Sequence, residues 1–371
     1  MVKKQKMKIE IDKPEDVDKV EGLEEDSLDM DGYPLDSLLI RHETRTIHDI
    51  CRRIDKSQYI LDPDFQRDFI WPLEKQRKLI ESLLMRIPLP VFYLAERNDG
   101  KIIVVDGLQR ITTIHRFIND AFSLQGLDIH GKALEGKKFK DLPPKLQTRI
   151  EDTNLIVYIV DEKVPERAKL DIFTRVNGGI PLTRQQMRNC MYVGSATILL
   201  KELANSPSFI EATDKGLNTK TMRDRELINR YLAFSILGEM KYKGYMDDYL
   251  SDALKHVNDL PSMEIERIRR SFTASMKINH YIFGKNAFRK HTPDSTRSVI
   301  NASLFDVFSV LMGKVDEGLA FENADEIHEK FNRLMKDEVF IKSISLSTNS
   351  VQHVMKRFEI ARNAFKGIIH D

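Results

Sequence analysis

Cysteine is nearly absent from this chain of 371 residues. The two present, Cys51 and Cys190, cannot build a disulfide framework, and neither is flanked at metal-ligand spacing. They read as core thiols in a reducing compartment. No apolar run approaches the ~20 residues that span a bilayer, and the basic start Met1-Val2-Lys3-Lys4 passes into Ile-Glu-Ile-Asp instead of an apolar signal core. The expectation is a soluble, cytoplasmic protein without a membrane partner. An excess of either charge is also missing. With a net charge of +1, no global field attracts nucleic acid, so any such surface must be local. The phosphate-cradling pattern G-x-x-x-x-G-K-[ST] does not occur, which excludes the P-loop route to nucleotide binding. No internal repeat is found.

What is present centres on Ile102-Ile103-Val104-Val105-Asp106-Gly107-Leu108-Gln109-Arg110-Ile111. Four β-branched apolar residues predict a buried strand, Asp106-Gly107 breaks it, and Leu108, Ile111, Ile114, Phe117 and Ile118 follow at helical spacing. Asp106, Gln109 and Arg110 therefore stand at a strand's carboxyl end and in a first helical turn, where free N–H groups and the helix dipole favour an anion. An arginine there can grip phosphate, a glutamine can orient water or read a base, and an aspartate can hold a metal ion or activate water. The bland alternative is a strand-to-helix turn with Asp106 as its cap and Arg110 on the surface.

Residues 1–38 mix Lys, Asp and Glu with few aromatics and read as a flexible arm. Helical spacing over Thr46 to Ile54 precedes a short strand at Gln58 to Leu61. A polar and aromatic loop, Pro63 to Pro72, carries the only tryptophan and leads into a helix from Leu73 to Met85. Strands are predicted at Val91 to Ala95, Lys101 to Val105 and Leu155 to Val160, the first two joined by a hairpin at Asp99-Gly100. A helix from Pro165 leads to Arg175-Val176-Asn177-Gly178-Gly179, and Thr183 caps the next helix. From about residue 184 only helical spacing appears. The fold class is therefore α+β: a mixed α/β domain with a small sheet over 39–185, then an all-α domain over 186–371.

Three polar clusters interrupt apolar elements: Gln66-Arg67, then Asp106/Gln109/Arg110, then Arg175/Asn177. In order and spacing, the blocks F-Q-R-D-F-I-W-P, V-V-D-G-L-Q-R-I-T-T-I and I-F-T-R-V-N-G-G-I-P-L-T resemble the amino-terminal domain of GmrSD-type restriction endonucleases, whose signature is D-G-Q-Q-R. That family is similar to ParB and sulfiredoxin proteins. The resemblance implies a ParB/sulfiredoxin-like domain that binds and hydrolyses NTP, with Mg2+ as a metal that Asp106 could hold, and couples this to action on foreign DNA or to a partner nuclease. Carried over by position, Asp106 and Gln109 are the catalytic candidates. Gln66, Arg67, Gly107, Arg110 and Asn177 are the nucleotide-binding candidates. Leu108 departs from the family pattern, where a glutamine is usual.

Two other readings stay open: a metal-dependent ParB-like nuclease working through Asp106, and a non-catalytic DNA-binding or regulatory module. A separate HNH nuclease would draw on His280, His291 and Asn301, whose local patterns suit surface or core roles better. A basic and aromatic stretch makes Arg269, Arg270, Lys285, Arg289 and Lys290 the DNA-contact candidates, although a solvated helix face produces the same string. Arg67, Arg110 and Asn177 are expected to converge on one crevice, as strand ends do in α/β domains. The partners that follow are a nucleotide, DNA, and a partner nuclease or a second copy of the chain.

Overall fold

The computed structural model describes residues 20–23, 39–61, 71–97, 99–128, 131–176, 183–215, 217–291 and 298–368. Gln66, Arg67 and Asn177 lie outside the described residues. The chain divides into two compact units, residues 26–197, and residues 1–25 with 198–371. The strands are β1 Val20–Glu21, β2 Ile40–Thr46, β3 Tyr59–Ile60, β4 Phe92–Glu96, β5 Ile102–Asp106, β6 Asn154–Val160 and β7 Ile300–Asn301.

In the unit spanning 26–197, five strands form one mixed sheet in the order β2-β6-β4-β5-β3. The β4–β5 hairpin is antiparallel, as the Asp-Gly signal predicts, and Gly100 takes the positive φ of +74° that the turn needs. β6 runs parallel to β4 and antiparallel to β2. All four residues from Ile102 to Val105 are buried. Because successive side chains point to opposite faces, both faces of β5 are covered, which is why its sequence is a continuous apolar run. The helices Glu166–Val176 and Arg184–Met191 pack against β5. This packing carries the sheet unit past residue 185, where the change to purely helical spacing suggests a boundary.

β2 is a strand that the sequence pattern does not announce. Its residues Ile-Arg-His-Glu-Thr-Arg-Thr form an edge, paired over seven positions with β6. Arg41 bonds to Glu43, Glu96 and Asp161, so the edge is charged, as exposed strand edges commonly are.

The other described unit is helical apart from a small parallel ribbon in which β1 pairs with β7. Val20 and Leu23 are buried there and Lys290 pairs with Glu21, so this piece of the supposed arm is docked. The helix Ala302–Met312 is buried at every position, the mark of a central helix. Its one acid, Asp306, accepts from Arg230 at 2.8 and 2.6 Å and from Arg357 at 2.9 Å, all three side chains being essentially inaccessible. Burial pushes the Arg357 guanidinium down to about 10, and the Asp306 charge it shares with Arg230 offsets only part of that.

Removing the acid leaves two buried cations unpaired. Asp306→Ala is expected to destabilise this unit by about 3–5 kcal/mol. Urea unfolding followed by circular dichroism measures this, and a midpoint equal to wild type would show that the triad is not structural.

Candidate functional site

The turn after β5 is built as its residues require. Gly107 adopts φ +93°, and a Cβ at that position would stand 2.2 Å from the Phe92 ring, so only glycine fits both the backbone and the space. The helix Leu108–Ile118 begins at this glycine with no side-chain cap and no acid in its first turn. Its first N–H groups thus have neither an intrahelical acceptor nor a side-chain acceptor among the described residues, and no first-turn acid opposes the positive end of the dipole.

Arg110 closes the turn from inside. One terminal nitrogen donates to the Pro90 carbonyl, and the other donates to the Val91 carbonyl at 3.1 Å and to Asp106 Oδ2 at 2.9 Å. The guanidinium carbon lies 4.2 Å from the centre of the Phe92 ring. Burial lowers the Arg110 pKa, and the charge and hydrogen bond of Asp106 work against that shift. The side chain is therefore a clamp joining β5, its helix and the segment entering β4. The second carboxylate oxygen of Asp106 has no hydrogen-bond partner among the described residues.

Gln109 reaches the first polar block. Its Oε1 accepts the Trp71 backbone N–H at 3.0 Å, while Gln76 Nε2 donates to the Trp71 carbonyl at 2.6 Å. That contact fixes the orientation of the Gln109 amide, since only its oxygen can face a donor. Its NH2 group has no partner among the described residues. Trp71, whose ring also carries Lys75 Nζ 4.2 Å from its centre, is thereby tied directly to the motif helix. Trp71, at the described end of the first block, meets Gln109, while Arg67 and Asn177, on which the expected convergence with Arg110 rests, lie outside the described residues. Leu108 is 8% exposed, so the departure from the family pattern falls at a packed position.

The third block approaches from the helices behind β5. Thr183 caps Arg184–Met191 through a reciprocal box with Gln186, at 2.7 and 3.2 Å. Arg184 bonds to Asp171 at 3.2 Å. Within the capped helix Gln185, Arg188 and Asn189 are buried, Arg188 bonding to Gln185 and Gln185 to Asn189, each at 3.2 Å. The sequence reading stopped at Thr183 and missed them. The available signal was a helix too polar to have an apolar stripe. Val105, Phe173, Met187, Cys190 and Met191 line a small apolar recess beside them.

The basic stretch of the helical unit does not form a free cationic surface. Arg289 is 4% exposed and donates to the carbonyls of Lys285, Ala287 and Thr213. Lys290 is bound to Glu21 and Ser345. Arg269 pairs with Glu202 and Glu266, and Arg270 shares Glu266. Of the five, Lys285 alone is exposed with no ion pair among the described residues. Asn301 is a buried helix cap that accepts from Leu304 N–H. Among the described residues no three His, Cys, Asp or Glu side chains form a metal-binding group.

The clamp sets an expectation for stability. Arg110→Ala should lower the stability of the sheet unit by about 2–3 kcal/mol, the scale of hydrogen bonds made by a charged group, and Arg110→Lys should recover only part because an ammonium lacks the planar fork. Thermal unfolding of the three proteins decides this, and coincident melting curves would remove the clamp.

Comparison with known proteins bears on the same stretch. A search of curated proteins finds no match. Residues 47–193, from the first helix of the sheet unit to just beyond the capped third-block helix, match the family described as GmrSD restriction endonuclease, N-terminal domain. Residues 47–193 of this chain are thus similar to the N-terminal domain of GmrSD restriction endonucleases.

Proposed function

We propose that this chain is a restriction and anti-phage defence protein whose sheet unit binds a nucleoside triphosphate at the Asp106–Arg110 turn and couples its hydrolysis to action on foreign DNA or on a partner nuclease. The family match supports the restriction reading. The observation that carries the nucleotide reading is the uncapped, glycine-opened helix start beside an unengaged Gln109 amide group. Backbone N–H groups and the Gln109 NH2 present donors to a phosphate chain.

The roles within the motif are divided as follows in this proposal. Arg110 is committed to two carbonyls and Asp106, so it shapes the turn, and the guanidinium that meets phosphate is assigned to Arg67, with Gln66 and Asn177 as further polar ligands. The Gln109 oxygen is taken by the Trp71 N–H, and an amide is no base, so this side chain orients ligand atoms and removes no proton. Water activation is thus assigned to Asp106. A single carboxylate suits Mg2+, which keeps several waters and takes its other ligands from phosphates. Asp106 would hold such an ion, which would supply neutralisation of phosphate charge, and the helix start would hold the phosphate chain in place. A second reading, binding without turnover, is favoured by the engaged Gln109 oxygen.

Calorimetric titration with Mg-NTP and a phosphate-release assay test both readings. Gln109→Ala should weaken binding about fivefold, the loss of roughly one hydrogen bond near 1 kcal/mol. Asp106→Asn should abolish release while binding persists. Binding without release in the wild-type protein supports the second reading, and absence of binding overturns both.

A further inference from the structure

The sheet carries a row of rings that neither the fold nor the motif uses. His42 on β2 is the register partner of Tyr158 on β6, and Tyr158 is the register partner of Tyr93 on β4. The ring centres of His42 and Tyr158 are 5.4 Å apart, and Tyr93 and Tyr158 stack at 5.5 Å with planes 20° apart. Tyr93 is in turn the register partner of Asp106 on β5. The three rings thus lie on one line across the sheet, and the line ends at the motif.

This line is open to solvent. His42 is exposed and the two tyrosines are half-buried, flanked by Ile40 and Ile156, each 42% exposed. No polar atom of the three rings bonds to a described residue.

We infer that this row is a stacking platform for the base of the nucleotide whose phosphates occupy the Asp106–Arg110 turn, an inference that rests on the nucleotide reading above. Reach supports it: with strands ~4.8 Å apart, Tyr93 lies about 5 Å and Tyr158 about 10 Å from β5, the span over which a nucleotide places its base from its phosphates. Stacking uses the π-face that every base has, so the platform accepts purines and pyrimidines alike.

Titrations with ATP, GTP, CTP, UTP and inorganic triphosphate, each with Mg2+, separate this platform from the phosphate site. Wild type should bind the four nucleotides within about a fewfold of one another and all of them more tightly than triphosphate. Tyr93→Leu and Tyr158→Leu keep apolar bulk but lose the π-face, and should weaken nucleotide binding roughly tenfold while leaving triphosphate binding unchanged. Tyr93→Phe and Tyr158→Phe should restore it. If nucleotides and triphosphate bind equally well in wild type, or the leucine variants keep wild-type nucleotide affinity with unaltered melting, the platform is overturned while the phosphate site stands. If neither ligand binds, both fall together.

Discussion

The Arg110 guanidinium is the contact on which the candidate site depends. It links the entry to β4, the end of β5 and the first turn of the following helix, and it does so over the face of Phe92. The glycine before it is forced by the same crowding, because the Phe92 ring fills the space a Cβ would need. Once this corner is closed, the helix start is fixed relative to the sheet, Gln109 is aimed at Trp71, and one Asp106 oxygen has no partner among the described residues. The motif thus reads as a rigid corner that presents backbone donors, and its most obvious cation is part of the framework. A ligand anchored there gains from donors already in place, because little ordering remains for binding to supply.

The two units solve the burial of polar groups in different ways. In the helical unit Asp306 holds two arginines inside a packed bundle, a geometry in which each partner is costly without the others. In the sheet unit buried polar side chains concentrate at the motif and on the helix that follows Thr183, where Gln76, Gln185, Arg188 and Asn189 are all inaccessible. Polar groups placed there instead of apolar ones give up hydrophobic stabilisation, and all four positions lie within the stretch 47–193 that matches the family.

Much of the sheet unit was legible. The β4–β5 hairpin, the strand at β6, the turn at Gly107 and the cap at Thr183 each follow from local signals: continuous apolar runs, Asp-Gly pairs and a Thr-x-x-Gln box. β2 was illegible because an edge strand with one open face shows alternating charged residues that resemble a loop. The docking of Val20 on β7 was hidden because it joins residues 280 positions apart, as Val20 pairs with Ile300. The pairings of the basic stretch are hidden for a related reason: a string records charges but not which carbonyl or carboxylate each meets, and Arg289 lies inside the fold. The pairing of Arg110 with Asp106 is visible in the sequence only as an i,i+4 spacing.

Trp71 offers the most direct test of the nucleotide site, because it is the only tryptophan and its backbone is held by Gln109. Its fluorescence, titrated with Mg-NTP at fixed ionic strength, should change saturably in wild type and shift to higher concentration in Gln109→Ala. Emission that stays constant through millimolar nucleotide in both proteins contradicts a nucleotide site at residues 106–110.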